Sequence, residues 1–346
     1  MTSILYTQGL FVTVGSYALN TAAMFISSDG VTWTQRNAGV STRLASVCFG
    51  DGKFVAVGTG GKVLVSSNGW DWSQSVISNI FNLESVTYGN GRFVAVGASV
   101  FCASPDAVDW TSQINTNAVR LQAVAFGNNR FVALNAQPDA VPGLRIWISE
   151  DGLDWAPQGA TTGRHYWITF AAGRFFISPS NAVVLSSTDG VTWITNSLPN
   201  PGVTLWGMGY GNGTFLAVGA ANQNQHIVMR SEDGIHWQTQ ILATGGGPFP
   251  VLYAAAYGVG TFVVAGNTKP VAQSDNVARP YFRPPALAGT NIELHVTGEI
   301  GRAYRLQISA TLDTWDDYFV YTNDLPSMNF TVPRRTNMRF FRAESP

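Results

Sequence analysis

The sequence predicts an all-β protein: a seven-bladed β-propeller of four-stranded antiparallel blades over residues 1–282, followed by a small β-sandwich over 283–346. Three observations predict it: a turn motif that keeps returning, a hairpin motif ahead of each copy, and a composition suited to short strands. The turn motif is Ser27-Ser28-Asp29-Gly30-Val31-Thr32-Trp33. It returns ending at Trp72, Trp110, Trp155, Trp193 and Trp237, and a degraded seventh copy begins at Ser274-Asp275. Self-similarity at a nearly fixed period is the mark of a repeat architecture.

The hairpin motif is Ser46-Val47-Cys48-Phe49-Gly50-Asp51-Gly52-Lys53-Phe54-Val55-Ala56-Val57-Gly58, with a close copy at Ser85–Gly97. Its aromatic residue recurs at Tyr6, Phe49, Tyr88, Phe126, Phe170, Tyr210 and Tyr257, at intervals of 38 to 47 residues. Asn-Gly or Asp-Gly between apolar runs marks a two-residue hairpin, because both turn residues need positive φ. Gly52, Gly91, Gly173, Gly213 and Gly260 fit that role. Strand, tight turn, strand, variable loop, strand, Asp-Gly turn, strand then describes one propeller blade. A pair of large sandwiches would leave the regular period unexplained.

Composition agrees. Charged residues make up 12% of the chain, about half the usual share, and 36 glycines suit tight turns. The formal net charge of −1 gives no field to steer nucleic acid. No run of about 18 apolar residues is present to span a membrane as a helix. Cys48 and Cys102 fall in apolar strands of different repeats and are expected to be unpaired thiols. His165, His226, His236 and His295 lie in separate elements without the spacing of a zinc site. No cofactor is expected, and the chain is expected to be a monomer. The start, Met1-Thr2-Ser3-Ile4, lacks the basic and apolar regions of a signal peptide.

After Pro280, Pro284 and Pro285 the pattern changes to short strands at Ile292–Val296, Tyr304–Ile308, Tyr318–Tyr321, Phe330–Val332 and Arg339–Arg342. That spacing predicts the second, sandwich-like domain.

The Ser-x-Asp-Gly-x-x-Trp turn resembles the Asp-box, or BNR-type, repeat, one residue shorter than its usual spacing. The resemblance covers residues 3 to about 282. It implies a propeller in which the Asp-box is structural, the carboxylate accepting N–H groups of its own turn and the Trp lying buried between blades. Asn68 in the second copy is expected to give a looser turn. The superfamily spans sialidases, sortilin-like receptors, glycanases and photosystem assembly factors, so the motif speaks for fold more than function. The C-terminal pattern, with Leu312-Asp313-Thr314-Trp315 at a turn, resembles the immunoglobulin- or fibronectin-type module of secreted bacterial proteins. Together these imply a secreted protein whose leader is absent from this chain.

Within a blade, short Gly and Asp-box turns share one face and the variable loops share the other. Function concentrates on variable loops held by a rigid scaffold, which places the site at the channel mouth on the second face. Aligned on the recurring aromatic, the residues entering each inner strand read Arg43, Asn82, Arg120, Arg164, Thr204 and Val251. Two positions on they read Ala45, Glu84, Gln122, Tyr166, Trp206 and Tyr253, and the next position carries Ser46, Ser85, Ala123, Trp167, Gly207 and Ala254. Tyr166, Trp167, Trp206 and Tyr253 form either a platform for sugar rings or a plug in the channel. Arg43, Arg120 and Arg164 offer bidentate donors to an anion or cap loop carbonyls. Glu84 and Asp139 are the carboxylates of this face, and His165 with Tyr166 is a candidate acid–base set. The first expectation is therefore a secreted carbohydrate-binding propeller with a preference for anionic polysaccharide. A glycoside hydrolase or polysaccharide lyase at the same mouth, and a protein-binding scaffold, are the alternatives.

Overall fold

In the computed structural model the chain divides into two compact units, Met1–Gln273 and Ser274–Pro346, so the joint expected at 282/283 falls inside the second unit. The structure describes residues 2–16, 21–78, 80, 82–115, 120–135, 146–158, 165–179, 182–200, 202–221, 225–241, 252–266, 272–273, 281–282, 286–288, 291–297, 303–309, 316–322, 327–333 and 340–344. Among them there are strands and turns but no helix.

The first sheet consists of β1 (Ser3–Thr7), β2 (Leu10–Ser16), β3 (Ala22–Ser27) and β4 (Thr34–Gln35), antiparallel and paired in chain order. Five further four-stranded sheets repeat this order, and a three-stranded one, Leu252–Gly258, Thr261–Gly266 and Ala272–Gln273, follows. The degraded turn at Ser274-Asp275 lies outside the described residues. Repeated four-stranded antiparallel sheets in up-and-down order make the first unit a β-propeller. The second unit contains two small antiparallel sheets, one centred on Asn291–Thr297 and one on Ala303–Ser309, with Leu294 and Leu306 buried.

Each sheet of the first unit pairs an aromatic of its inner strand with a Phe of the next strand, and in four sheets the row runs on to the turn Trp. Tyr6 packs on Phe11 at 4.5 Å between ring centroids, and Phe11 faces Trp33 at 6.2 Å. Phe49–Phe54–Trp72, Phe126–Phe131–Trp155 and Tyr210–Phe215–Trp237 repeat the row. The middle Phe of each row is buried. The turn tryptophans, expected to be buried, are half-buried apart from Trp237. Each of Trp33, Trp72, Trp155 and Trp193 turns its Nε1–H back to the Gly carbonyl of its own turn, at 3.0 to 3.2 Å.

Neighbouring sheets meet where the inner aromatic of one lies over a glycine of the sheet before it. A Cβ on Gly50 would run into the ring of Tyr88, one on Gly89 into Phe126, one on Gly127 into Phe170 and one on Gly211 into Tyr257. Gly258 has the same relation to Tyr6, which brings the seventh sheet against the first. Where the chain has Ala171 instead of glycine, the next aromatic in the series, Tyr210, is 40% exposed.

The recurring turn is built by one carboxylate oxygen. The Ser27 hydroxyl and the N–H groups of Val31 and Thr32 all donate to Asp29 Oδ1 at 2.8 Å, while Gly30 N–H donates to Ser27 Oγ. These donors hold the Asp29 carboxyl below the ordinary range, and Asp106, Asp151, Asp189 and Asp233 are lowered likewise. The looser turn expected at Asn68 is not found. Asn68 Oδ1 accepts from Ser66, Trp70 and Asp71 at 3.1, 2.7 and 2.9 Å. The turn uses a single oxygen, and the Asn68 amide supplies it with the same geometry as a carboxylate. Cys48 and Cys102 are unpaired, and burial pushes both thiols up, Cys102 to about 12.

Candidate functional site

The mouth of the channel owes its geometry to a bulge repeated in the inner strands. In the second sheet Leu44 pairs Gly58 and Ser46 pairs Val57, which leaves Ala45 as an extra residue. Glu84, Gln122, Trp206 and Tyr253 are the extra residues of their strands in the same way, and in Leu-less His165–Ala171 the step spans Tyr166 and Trp167. A bulge turns a side chain out of the ladder and bends the strand, and bulges gather beside functional sites. The position singled out on sequence alignment is therefore a structural position: in five of the inner strands it is the residue released from pairing.

In several sheets a glycine faces the bulge. A Cβ on Gly58 would strike the Arg43 carbonyl, one on Gly97 the Asn82 carbonyl and one on Gly219 the Thr204 carbonyl. In these three sheets the backbone entering the bulge lies directly against the end of the second strand, where only hydrogen fits; Asn135 and Pro179 stand at that place in the fourth and fifth sheets. These glycines support the mouth and were missed as such. Their signal was the glycine ending Phe54–Gly58 and Phe93–Gly97, a residue with no side chain to pack in an otherwise apolar strand.

Hydroxyls then tie the bulges together. Ser3 Oγ accepts the N–H of Val47 at 3.3 Å, Ser46 that of Val86 at 3.3 Å and Ser85 that of Val124 at 3.1 Å. Trp167 stands at the same position and bridges differently, its Nε1–H donating to the Leu205 carbonyl at 2.8 Å. It is 7% exposed and packs with Phe176, Leu205 and Phe215, so the broad ring face foreseen for a sugar at Trp167 lies in the core.

Among the described residues, the inner strands line an open cavity of about 560 Å³, with Glu84, Gln122, Trp206 and Tyr253 in its wall. The rings at Trp206 and Tyr253 meet edge to face, with centroids 6.0 Å apart and planes at 70°, and they leave that volume open. Across the mouth, Arg43 Nη1 reaches Glu84 Oε2 at 2.9 Å, with side chains 29% and 13% exposed. Two candidates with separate roles on sequence grounds, an anion ligand and a catalytic carboxylate, are thus partners of each other. Arg120 is exposed and makes no ion pair among the described residues. Arg164 and Asp139 lie outside the described residues, as do the side chains of His165 and Tyr166. Among the described residues Glu84 is the one acidic side chain of the mouth, and no cluster of three or more His, Cys, Asp or Glu stands ready for a metal ion.

No family model matches the sequence, and no curated protein does. Solved structures do resemble it. YCF48 from Cyanidioschyzon merolae is 16% identical, with a TM-score of 0.58, covering 77% of this chain and 92% of that one. YCF48 bound to D1 peptide is 18% identical, with a TM-score of 0.58, covering 77% and 89%. The WD40 β-propeller domain of Doa1 is 11% identical at the same TM-score, covering 79% and 91%. At these identities the likeness is one of fold, and the fold is the β-propeller.

Proposed function

We propose that the chain is a non-catalytic binding protein whose propeller mouth takes an extended segment of a partner protein. The carrying observation is the ring of bulges. It directs one polar half, with Glu84 and Gln122, and one aromatic half, with Trp206 and Tyr253, toward a common cavity that Thr2 also lines. A peptide supplies both backbone polar groups and apolar side chains to such a mouth. The description of one similar structure as YCF48 bound to D1 peptide supports a peptide ligand for this fold. The tie between Arg43 and Glu84 speaks against hydrolysis, because glycoside hydrolysis ordinarily needs two carboxylates at a set separation.

A glycan is the second reading, favoured by the Trp206–Tyr253 pair, since the C–H faces of sugars stack on aromatic rings. The secreted location implied by the resemblance belongs to that reading. The finer architecture forms part of the proposal too: a seven-bladed propeller of Asp-box type, supported by the turn bonding and by Tyr6 over Gly258, with an immunoglobulin- or fibronectin-like sandwich as an attachment module.

Peptide display and a glycan array on the same full-length sample test the choice. Peptides should be selected, and Trp206→Ala or Tyr253→Ala should each weaken them roughly ten-fold, the scale of one aromatic contact. Selection of glycans alone would transfer the mouth to the second reading. Binding of either class unchanged by both substitutions would place the site elsewhere.

A further inference from the structure

The face opposite the mouth carries a second feature. In each of the six complete turns the residue after Gly30, Gly69, Ala107, Gly152, Gly190 and Gly234 is apolar: Val31, Trp70, Val108, Leu153, Val191 and Ile235. Its N–H is committed to the turn oxygen, and its side chain projects outward. Val31 is 67% exposed, Val108 64%, Val191 42%, Ile235 39% and Trp70 37%. Two of the six have inward partners: Leu153 packs beside Trp155, and Trp70 has the Arg36 guanidinium over its ring at 4.4 Å. Val31, Val108, Val191 and Ile235 belong to no core cluster among the described residues. The next residue in the turn is polar in every copy (Thr32, Asp71, Asp109, Asp154, Thr192, His236), so the exposed apolar position does not follow from a generally apolar loop. Isolated surface apolar residues need no explanation; the same exposed apolar position repeated around one face does.

The charge of this face is one-sided. Of the twelve acidic residues described before residue 274, eleven lie in the short turns, and the twelfth is Glu84. Against those eleven stand six basic residues, Arg36, Lys53, Arg92, Arg130, Arg174 and Arg230. Four of the six are committed internally, Arg36 by its stacking on Trp70. Lys53 Nζ donates to the Asp106 carbonyl and Arg130 Nη1 to the Asp189 carbonyl, and Arg230 pairs with Glu232 at 3.3 Å. The chain's near-neutral total therefore hides an acidic face studded with apolar side chains.

We propose that this face docks a basic protein segment in which Lys or Arg alternates with apolar residues, each turn offering one apolar contact flanked by carboxylate. Charge complementarity selects that occupant over an anionic membrane, nucleic acid or the acidic turns of a second copy. Repetition around the face makes weak single contacts add through multivalency. Because this surface lies away from the mouth, its success or failure is separate from that of the peptide reading there.

The test uses the full chain and two fluorescent dodecapeptides, one alternating Lys and Leu and one alternating Lys and Ser, at about 0.15 M salt. The Lys–Leu peptide should bind at least about ten-fold tighter than the Lys–Ser peptide, the difference made by a few buried apolar side chains. The variant with Val31, Val108, Val191 and Ile235 all changed to Ser should lose that preference while melting as the parent does. A second variant, Asp109→Asn with Asp154→Asn and Glu232→Gln, leaves every turn oxygen in place and should weaken both peptides. Equal binding of the two peptides to the parent chain would overturn the proposal, as would a serine variant that keeps the preference. Concentration-dependent self-association abolished by the serine variant would also overturn it, by giving the face to a second copy.

Discussion

On one face of the propeller the turns at Ser27–Trp33 and Ser231–Trp237 are interchangeable, with nearly the same donors at nearly the same distances. On the opposite face Glu84, Gln122, Trp206 and Tyr253 occupy the same bulge with an acid, an amide, an indole and a phenol. Both faces are built from the same repeat, so the backbone alone does not distinguish them. What differs is where the repeat spends its side chains. In the turns Ser, Asp and Trp are consumed in holding the loop closed. At the bulge the holding is done by backbone, by Gly58 and Gly97, and by the hydroxyls of Ser3, Ser46 and Ser85 one residue further on. The released residue is then not needed to hold the strand in place. Invariance on one side and variety on the other are two outcomes of one design.

The largest effects should come from the glycines that carry each face. Gly89→Ala would push a methyl group into the Phe126 ring, and Gly97→Ala would push one into the Asn82 carbonyl. Overpacking of this kind costs about 1–3 kcal/mol and sometimes more; here the obstacles are a packed ring and a backbone oxygen, so the upper end is expected. Gly52→Ala, with open space around its Cβ and only a positive φ of 68° to violate, should cost about 1 kcal/mol. Chemical denaturation of the three variants checks this order. A Gly97→Ala chain as stable as the parent would mean that the bulge is not what shapes the mouth.

Next in size is the ion pair across the mouth. Arg43→Ala leaves the mostly buried Glu84 without its partner and should destabilise by about 1–3 kcal/mol, the cost of an unsatisfied buried group. Glu84→Gln should cost less, since the amide oxygen still accepts. The double change Arg43→Ala with Glu84→Ala should recover part of the loss, and a double-mutant cycle measures how much. Additive single effects would show that the pair is incidental to the mouth.

How much of this was legible in the sequence differs between the faces for the same physical reason. The turns need particular atoms, so Ser27, Asp29 and Trp33 and their copies stand out as a motif. Strand order and the hairpin turns followed from Asn-Gly and Asp-Gly spacing. The bulge is a matter of backbone register, backed by a glycine in some sheets and by Asn135 or Pro179 in others, which leaves no motif in the released residue itself. Alignment on the aromatic found Glu84, Trp206 and Tyr253, but no spacing rule foretold that Arg43 would reach Glu84 across two sheets. Trp167 misled because a large ring in a series of serines suggests a ligand platform; it instead spans the gap that the serine hydroxyls bridge elsewhere. Asn68 misled because the motif was read as requiring a charge, when it requires one oxygen.

That last point makes the third prediction, of intermediate size. Asp189→Ala removes the acceptor of the Ser187, Val191 and Thr192 donors and should cost roughly 1 kcal/mol. Asp189→Asn should cost well under half of that, on the pattern of Asn68. The pH dependence has a definite sign. The turn carboxyls are lowered in the folded state, so their contribution is complete above the unfolded value near 3.8 and is lost as pH falls below it through the folded values. Thermal melting should therefore stay level from neutral pH down to about 4 and fall below that. A melting temperature already falling between pH 7 and 5 would mean that other groups govern acid stability.

The smallest effect should be a gain. The turn at Val259–Gly260 is the only first-to-second strand turn among those described with a β-branched residue at its first position, and Val259 sits at a φ of 51°. Its counterparts at that angle are Gln8, Asp51, Asn90, Asn128, Ala172 and Asn212. A branched Cβ in the left-handed region crowds the following carbonyl, whereas asparagine tolerates it and hydrogen-bonds locally. Val259 is also more than half exposed, so little packing is lost when it is replaced. Val259→Asn should therefore raise stability by about 0.5–1 kcal/mol. The change lies in the seventh sheet next to Gly258, where the ring of inner strands meets Tyr6, so a stiffer turn there should also slow opening at that junction. Amide exchange of Thr261 and Phe262 would show it as increased protection. A neutral or destabilising result would mean that Val259 is held by a contact on the short-turn face, and the contrast between a self-contained face and a variable one would need redrawing at that sheet.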